Sequence, residues 1–362
     1  MFTQVEWQVS KRAIVDRYTV STNRRGALQL LSVIVPIAGL WYTIYLASQV
    51  SILLVVAATV CLSLFLLRGF VLMHDCGHNS LFRSKSLNRI GGFLLGVLAG
   101  IPQQVWAENH RYHHATNGNW EKYRGPLNVV CVSDYLAMNA SQKRSYRYNR
   151  HILLSPIAGC LYFLVNPRIT WLRASYQLAF RLFARRGENN VNVGASLKEG
   201  TSMVHYRYML SNNLLLFAAC GLMVWGLGSW LFFICYLVSG SLGGAFGIVL
   251  FSVQHNFDHA YASEDKDWDR DEANLHGTSF LVLPRWLNWF TADVAYHHVH
   301  HLCASVPNYR LAACHDEFQH LFAGVTRVGL FEIPAALRNI LWDLPARRLV
   351  SVAEVNRRNT SI

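Results

Sequence analysis

The chain has 362 residues, of which 52% are hydrophobic and 15% are charged, and its formal net charge is +12. So little charge cannot cover the surface of a soluble protein of this size, and the composition indicates a chain whose main solvent is lipid. The basic excess could indicate nucleic acid, but basic loops in an apolar chain more often face an anionic membrane surface, so no nucleic-acid partner is expected.

The N-terminal 26 residues are basic, and an uncharged stretch follows them. Residues 26–67 contain no Asp, Glu, Lys or Arg over 42 positions. A membrane span needs about 20 apolar residues, so this stretch predicts a hairpin of two spans, about 28–48 and 51–73, that breaks at Ser48–Ser51. Residues 1–26 are then predicted to be a cytosolic segment, because basic segments stay on the cytoplasmic side.

Weaker apolar stretches follow in the middle of the chain. Residues 90–107 are uncharged but rich in glycine, and residues 152–166 are shorter still. We predict that both are short re-entrant or interfacial helices. Residues 171–186 mix apolar residues with four arginines, which predicts a helix lying in the membrane interface.

A second uncharged stretch, residues 208–257, is 50 positions long. It predicts another hairpin, with spans at about 208–226 and 230–252. The predicted fold is therefore an all-α integral membrane protein with four transmembrane helices in two hairpins and a cytosolic, histidine-rich helical cap. Its domains would be the N-terminal segment, a membrane domain at 27–310 and a cytosolic C-terminal segment at 311–362.

Sixteen histidines occur, and many of them cluster just after predicted spans. The clusters are HDCGH at 74–78, HRYHH at 110–114, HNFDH at 255–259 and HHVHH at 297–301. Helical positions i, i+3 and i+4 share a face, so each cluster aims several imidazoles at one point. Neutral imidazole suits Fe, Zn, Cu or Ni, and one zinc takes three or four ligands, so eight or nine imidazoles indicate two metal ions.

The first, second and fourth clusters resemble the three histidine boxes of the membrane fatty acid desaturases. Their order, spacing and alternation with two apolar hairpins also match, over roughly residues 50–310. The resemblance implies a non-haem centre of two iron ions and the O₂-dependent insertion of a double bond into an acyl chain. The implied box ligands are His74, His78, His110, His113, His114, His297, His300 and His301.

The resemblance also implies a further ligand after the fourth span. His255 is preferred for this role, and His259 is the alternative. His298, beside the HxxHH register, would point elsewhere, as a donor to a ligand. Asp75 and Asp293 are candidates to orient ligating imidazoles through the second ring nitrogen. We predict no catalytic residue beyond the metal cage.

The chemistry explains why a metal is needed, because an alkyl C–H bond has neither an acidic proton nor a leaving group. Each turnover needs two external electrons, and the sequence contains no nucleotide fingerprint, HPGG signature or iron–sulfur cysteine set. A separate ferredoxin or cytochrome b5 is therefore the expected donor. We place the enzyme in the bilayer with its site on the cytoplasmic face, and favour the bacterial inner membrane over the endoplasmic reticulum.

Two other functions remain open at this point. One is a hydroxylase or ketolase with the same cage that acts on alkanes, sphingolipids or carotenoids. The other is a membrane metal-binding or transport protein, which would be expected to place its ligands inside the spans. None of the four predicted spans contains a histidine.

Overall fold

The computed structural model describes residues 4–184 and 202–360, and most of these are helical. The α-helices are α1 (Gln4–Tyr18), α2 (Asn23–Ser48), α3 (Ile52–Gly77), α4 (Lys85–Ala99), α5 (Gln103–Thr116), α6 (Val132–Ala137), α7 (Ala140–Tyr148), α8 (Ser155–Gly159), α9 (Asn166–Ala184), α10 (Met203–Leu227), α11 (Leu231–Val253), α12 (Arg270–His276), α13 (Arg285–Phe290), α14 (His297–Leu302), α15 (Asn308–Glu317), α16 (Ile333–Ala336) and α17 (Val352–Thr360). The strands are β1 (Val130–Cys131), β2 (Phe280–Val282), β3 (Arg327–Gly329), β4 (Asn339–Asp343) and β5 (Arg348–Ser351). Short 3₁₀ turns lie at Ile152–Leu154, Asp265–Asp267 and Leu330–Glu332, and a π-helical turn lies at Cys160–Val165.

Two long helical hairpins form the apolar part of the fold. The first consists of α2 and α3, which pack together and break where the sequence predicts. The second consists of α10 and α11, and α10 ends because Gly228 adopts a left-handed conformation (φ 59°). These helices are apolar, yet only 17–50% of their most apolar windows is buried. Apolar surface left exposed at this scale indicates contact with lipid.

A fifth helix is long and apolar enough to cross a membrane. It runs continuously over Ile152–Phe180 through the π-helical turn. It therefore joins residues 152–166, which we predicted to be a short helix, to the helix predicted in the interface from residue 171. Five described helices therefore meet the length and composition of a span, where the sequence predicted four. The interfacial helix predicted at 171–186 is the continuation of this helix as far as the described residues reach.

Helices α4 and α5 form a sharp bend of 99° rather than a straight span. Gly100 ends α4 in the left-handed conformation (φ 74°), and Pro102 precedes the first residue of α5. Both residues are typical of a helix stop, so the local sequence explains the bend. The re-entrant path predicted for residues 90–107 agrees with this geometry.

The bundle is held by close helix approaches at small residues. Gly159 of α8 lies against Gly244 of α11, and a Cβ built on Gly159 would overlap the backbone N of Ala245 and the carbonyl of Ser241. Close backbone contact at small residues is how helices associate without a hydrophobic driving force in lipid. This contact fixes the position of the Ile152–Phe180 helix relative to α11.

Two small sheets correct the prediction of an all-α fold. One has the order β1-β4-β5, with β1 and β4 parallel, and the other pairs β2 and β3 in parallel. Each sheet ties the C-terminal residues to the central part of the chain. The described part of the predicted C-terminal segment, residues 311–360, thus packs against the rest of the chain, and Trp342 of β4 stacks on Trp120.

Candidate metal centre

Nine histidines gather in two adjacent groups at the ends of the hairpins. The first group is His74, His78, His110, His114 and His300, and the second is His113, His255, His297 and His301. Within each group the potential ligand nitrogens all lie within 4.8 Å of one another. The structure therefore brings together the eight box histidines and His255.

Helices α5 and α14 each contribute to both groups. In α5, His110 and His114 are four residues apart and share a face, whereas His113 turns to the second group. In α14 the pattern is reversed, because His297 and His301 face the second group and His300 faces the first. The i, i+3, i+4 spacing of HxxHH thus serves two sites from one short helix.

The nitrogen distances fit metal ligation. His114 Nε2 lies 2.9 Å from His110 Nε2 and 3.0 Å from His300 Nε2. In the second group, His297 Nε2 and His255 Nε2 are 3.0 Å apart. Two imidazole nitrogens bound at about 2.1 Å to one metal, at a right angle, would be about 3.0 Å apart.

Unpaired nitrogens support the same conclusion. The Nε2 atoms of His74 and His78 are buried and have no hydrogen-bond partner among the described residues. A buried polar atom without a partner is costly, so its position points to a ligand. The residues present therefore fit two metal ions held by imidazole alone.

The second group is kept neutral by its surroundings. Burial lowers the pKa of His255 to about 4, while the hydrogen bond from its Nδ1 to the Gly277 carbonyl acts in the opposite direction. Burial also lowers the pKa of His297 and His301, with neighbouring imidazoles adding to the effect. Neutral imidazoles keep the lone pairs that a metal needs.

Asp75 contacts the first group from outside. Its Oδ1 lies 3.0 Å from His74 Nδ1, and its Oδ2 accepts a hydrogen bond from the backbone N–H of Asn308. The carboxylate therefore fixes the ring of His74 so that Nε2 faces the group.

Asp75→Asn is expected to lower metal affinity or activity by about 10–100-fold, as is typical for residues that orient metal ligands. The matched control is Asp293→Asn. Metal content by elemental analysis, measured beside acyl desaturation, checks the prediction. Equal losses in both variants would contradict the orienting role of Asp75.

Asp293, His298 and His259 lie outside the two groups. Asp293 accepts a hydrogen bond from Asn288 and forms none with a histidine of either group among the described residues. Burial raises the pKa of Asp293 to about 6, although the positive charge of Arg68 acts to lower it. His298 Nε2 faces His315 Nδ1 at 2.8 Å, so it is not placed to donate to a ligand. The His259 side chain is 74% exposed and lies near Asp258.

An apolar cavity of about 720 Å³ adjoins both groups, since His110 of the first and His113 of the second line it. Trp106 stacks on His110 at 4.6 Å and donates a hydrogen bond to Tyr162 of the π-helical turn. The wall also includes Phe70, Tyr123, Leu161, Phe163, Gly247, Ile248 and Phe251. No local sequence pattern indicated that Tyr123 or the π-helical turn belongs to this wall.

Comparison with known proteins adds independent findings. The family model described as "Fatty acid desaturase" matches residues 50–329. A protein of Bacillus subtilis named "Fatty acid desaturase" is 33% identical over 93% of this chain and 88% of its own length.

More distant relatives are also desaturases by name. The Synechocystis "sn-1 oleoyl-lipid 12-desaturase" is 23% identical over 69% of this chain and 64% of its own length. An Arabidopsis thaliana "Temperature-sensitive sn-2 acyl-lipid omega-3 desaturase (ferredoxin), chloroplastic" is 25% identical over 67% of this chain and 51% of its own. The chain thus spans about half to two thirds of the length of these two relatives.

Proposed function

We propose that this chain, which belongs to the fatty acid desaturase family, uses two iron ions and O₂ to insert a double bond into a lipid acyl chain. The family and the named relatives show an oxidoreductase that acts on lipid acyl groups in a membrane. The predicted desaturase function is therefore confirmed, and nothing in the comparisons favours the hydroxylase, ketolase or transport alternatives. The metal, the oxidant, the electron donor and the ligand residues are our proposal.

One observation carries the metal proposal. Two all-imidazole groups share α5 and α14, and each presents one histidine to the same apolar cavity. When bound, two iron ions with O₂ would supply the oxidising power to remove hydrogen from an unactivated carbon. We propose His74, His78, His110, His114 and His300 for one ion, and His113, His255, His297 and His301 for the other.

The residues around the site hold and shield the acyl chain. The cavity volume is within the range of about 300–1,000 Å³ typical of small-molecule sites. Its largely apolar wall suits an acyl chain, and Trp106 stacks on His110 and donates a hydrogen bond to Tyr162 in the wall. An acyl chain in this cavity would pass both histidine groups.

Gly247→Leu is expected to lower the conversion of long acyl chains by about tenfold, because overpacking typically costs about 1–3 kcal/mol. Gly247 lines the cavity, and a Cβ there already contacts Phe163 at 3.5 Å. Gly39→Leu is the control, since a Cβ at Gly39 meets nothing within 4 Å. The chain lengths of the products are measured by gas chromatography. If Gly247→Leu gave the same products as Gly39→Leu, the acyl chain would not lie beside Gly247.

We propose four crossing spans with the histidine groups on the cytoplasmic face. Helices α3 and α11 both end at the histidine groups. Because α10 and α11 form a hairpin, α10 begins on that same side of the membrane, so the chain between α3 and α10 crosses the membrane an even number of times. Helix α5 carries its histidines to the same side, which makes α4 and α5 re-entrant. The basic segments would then lie on this side, as the positive-inside rule expects for the cytoplasm. The bacterial inner membrane is the membrane we propose.

The proposed electron donor is a ferredoxin or a cytochrome b5. The name of the Arabidopsis relative includes ferredoxin, and the net charge of +12 suits an acidic carrier. Electrostatic steering predicts that reduction by an acidic carrier slows as ionic strength rises.

The proposal is tested by purifying the protein and measuring metal, oxygen and product together. We expect two iron ions per chain, O₂ consumption only with acyl substrate and reductant, and alkene products by mass spectrometry. Desaturation by protein that holds a different metal would contradict the assignment of iron. Alcohol products would contradict the proposal that the enzyme forms a double bond.

A further inference from the structure

A second, smaller pocket touches the histidine site from the side of the cap. It has a volume of about 40 Å³ and is lined by His255, Asn256, Ala260 and Trp342, among others. Arg124, an exposed residue, also lines it, so the pocket extends from the second histidine group towards solvent. A water molecule needs at least about 10–15 Å³, so the pocket has room for a few waters.

Two buried residues that line this pocket each have a polar atom without a hydrogen-bond partner in the described part of the chain. Asn256 is 1% exposed and Trp342 is 2% exposed. Asn256 Oδ1 and Trp342 Nε1 have no hydrogen-bond partner among the described residues. One is an acceptor and the other a donor, and bound water can satisfy both.

The pocket lies beside the acyl cavity and is lined by a different member of the second histidine group, His255 in place of His113. Tyr123 lines both spaces, and its ring lies 4.8 Å from the ring of His113. An acyl chain filling the larger cavity would therefore leave the smaller pocket open.

The proposed reaction needs such a route. Removing two hydrogens from the chain and reducing one O₂ to two waters takes two electrons from the reductant and two protons from solvent. The histidines of the second group are each at most 6% exposed, so these protons need a route through the protein.

We propose that this pocket is a water site that passes protons from the cap surface to the second histidine group, and that Asn256 and Trp342 hold the water. This inference rests on the proposed function. Trp342 and Asn256 act as positioning residues, because they contact the water and not the substrate.

X-ray-generated hydroxyl radicals test the water site without turnover, since bound water next to a side chain is the source of the radicals. In the iron-loaded and the iron-free protein, Trp342 is expected to be oxidised about tenfold faster than Phe232 after correction for intrinsic reactivity, because only Trp342 borders bound water. Phe232 is the control, with the same 2% exposure. Equal protection of the two residues overturns the proposal, whatever metal or activity the protein has.

Variants test the proton route. Ala260→Leu fills the pocket and is expected to reduce Trp342 oxidation to the level of Phe232. Trp342→Phe removes the indole N–H, and Asn256→Leu removes the side-chain amide. Both variants are expected to lower turnover severalfold and to raise the solvent isotope effect, with unchanged iron content. Full turnover and an unchanged isotope effect in both folded variants would overturn the relay.

Discussion

Replacing His255 with alanine is expected to abolish desaturation and to lower the iron content, whereas the same change at His259 leaves both unchanged. His255 Nε2 lies 3.0 Å from His297 Nε2 in a group of only four imidazoles. Removing it leaves three ligands and a space that water can enter. The loss should exceed the roughly 10–100-fold cost of changing a residue that only orients a ligand.

The control is unusually close in sequence. His259 is four residues away, with its side chain 74% exposed. Both variants delete an imidazole from the same connection after α11, so differences in expression or membrane insertion are minimised. Iron per chain and product per chain are the two measurements. Loss of iron in His259→Ala, with iron retained in His255→Ala, would reverse the assignment.

The second large effect is expected from Gly159→Ala. The new methyl group would overlap the α11 backbone at Ala245 and Ser241, and neither can move without displacing a helix. Overpacking of this kind costs about 3 kcal/mol. We expect a lower unfolding temperature and lower desaturation, because Leu161 and Gly247 on these two helices line the acyl cavity.

Gly221→Ala provides the matched helical control. A Cβ at Gly221 meets nothing within 4 Å. Because alanine has the higher helix propensity, this variant should be unchanged or more stable by up to about 1 kcal/mol. Unfolding in detergent, followed by intrinsic fluorescence, compares the two. A Gly159→Ala variant as stable as the Gly221→Ala variant would show that the helices are not in fixed contact.

Composition and periodicity were sufficient for the large features of this molecule. The uncharged stretches predicted both hairpins, and the breaks after Ser48 and Leu227 occur at polar or glycine-rich positions. The histidine spacing predicted convergence, because helical geometry alone brings positions 110 and 114 to one face. The resemblance to the desaturases is confirmed by the family match.

Features that depend on tertiary contacts were not predictable from local patterns. Arginines such as Arg168 and Arg173 interrupt the Ile152–Phe180 helix in sequence and obscured its length. The strands have two to five residues, too few for a visible alternation. The partner of His298 is His315, and neither sequence position indicates that pairing.

The crossed arrangement of α5 and α14 has a consequence for how metal is acquired. Each helix is a rigid body that carries histidines of both groups. Metal binding at one group fixes the orientation of both helices. Binding at the other group then no longer has to order them, so the two binding events are positively coupled. Titration of the metal-free protein should therefore show cooperative uptake, with few half-filled molecules present at any stage.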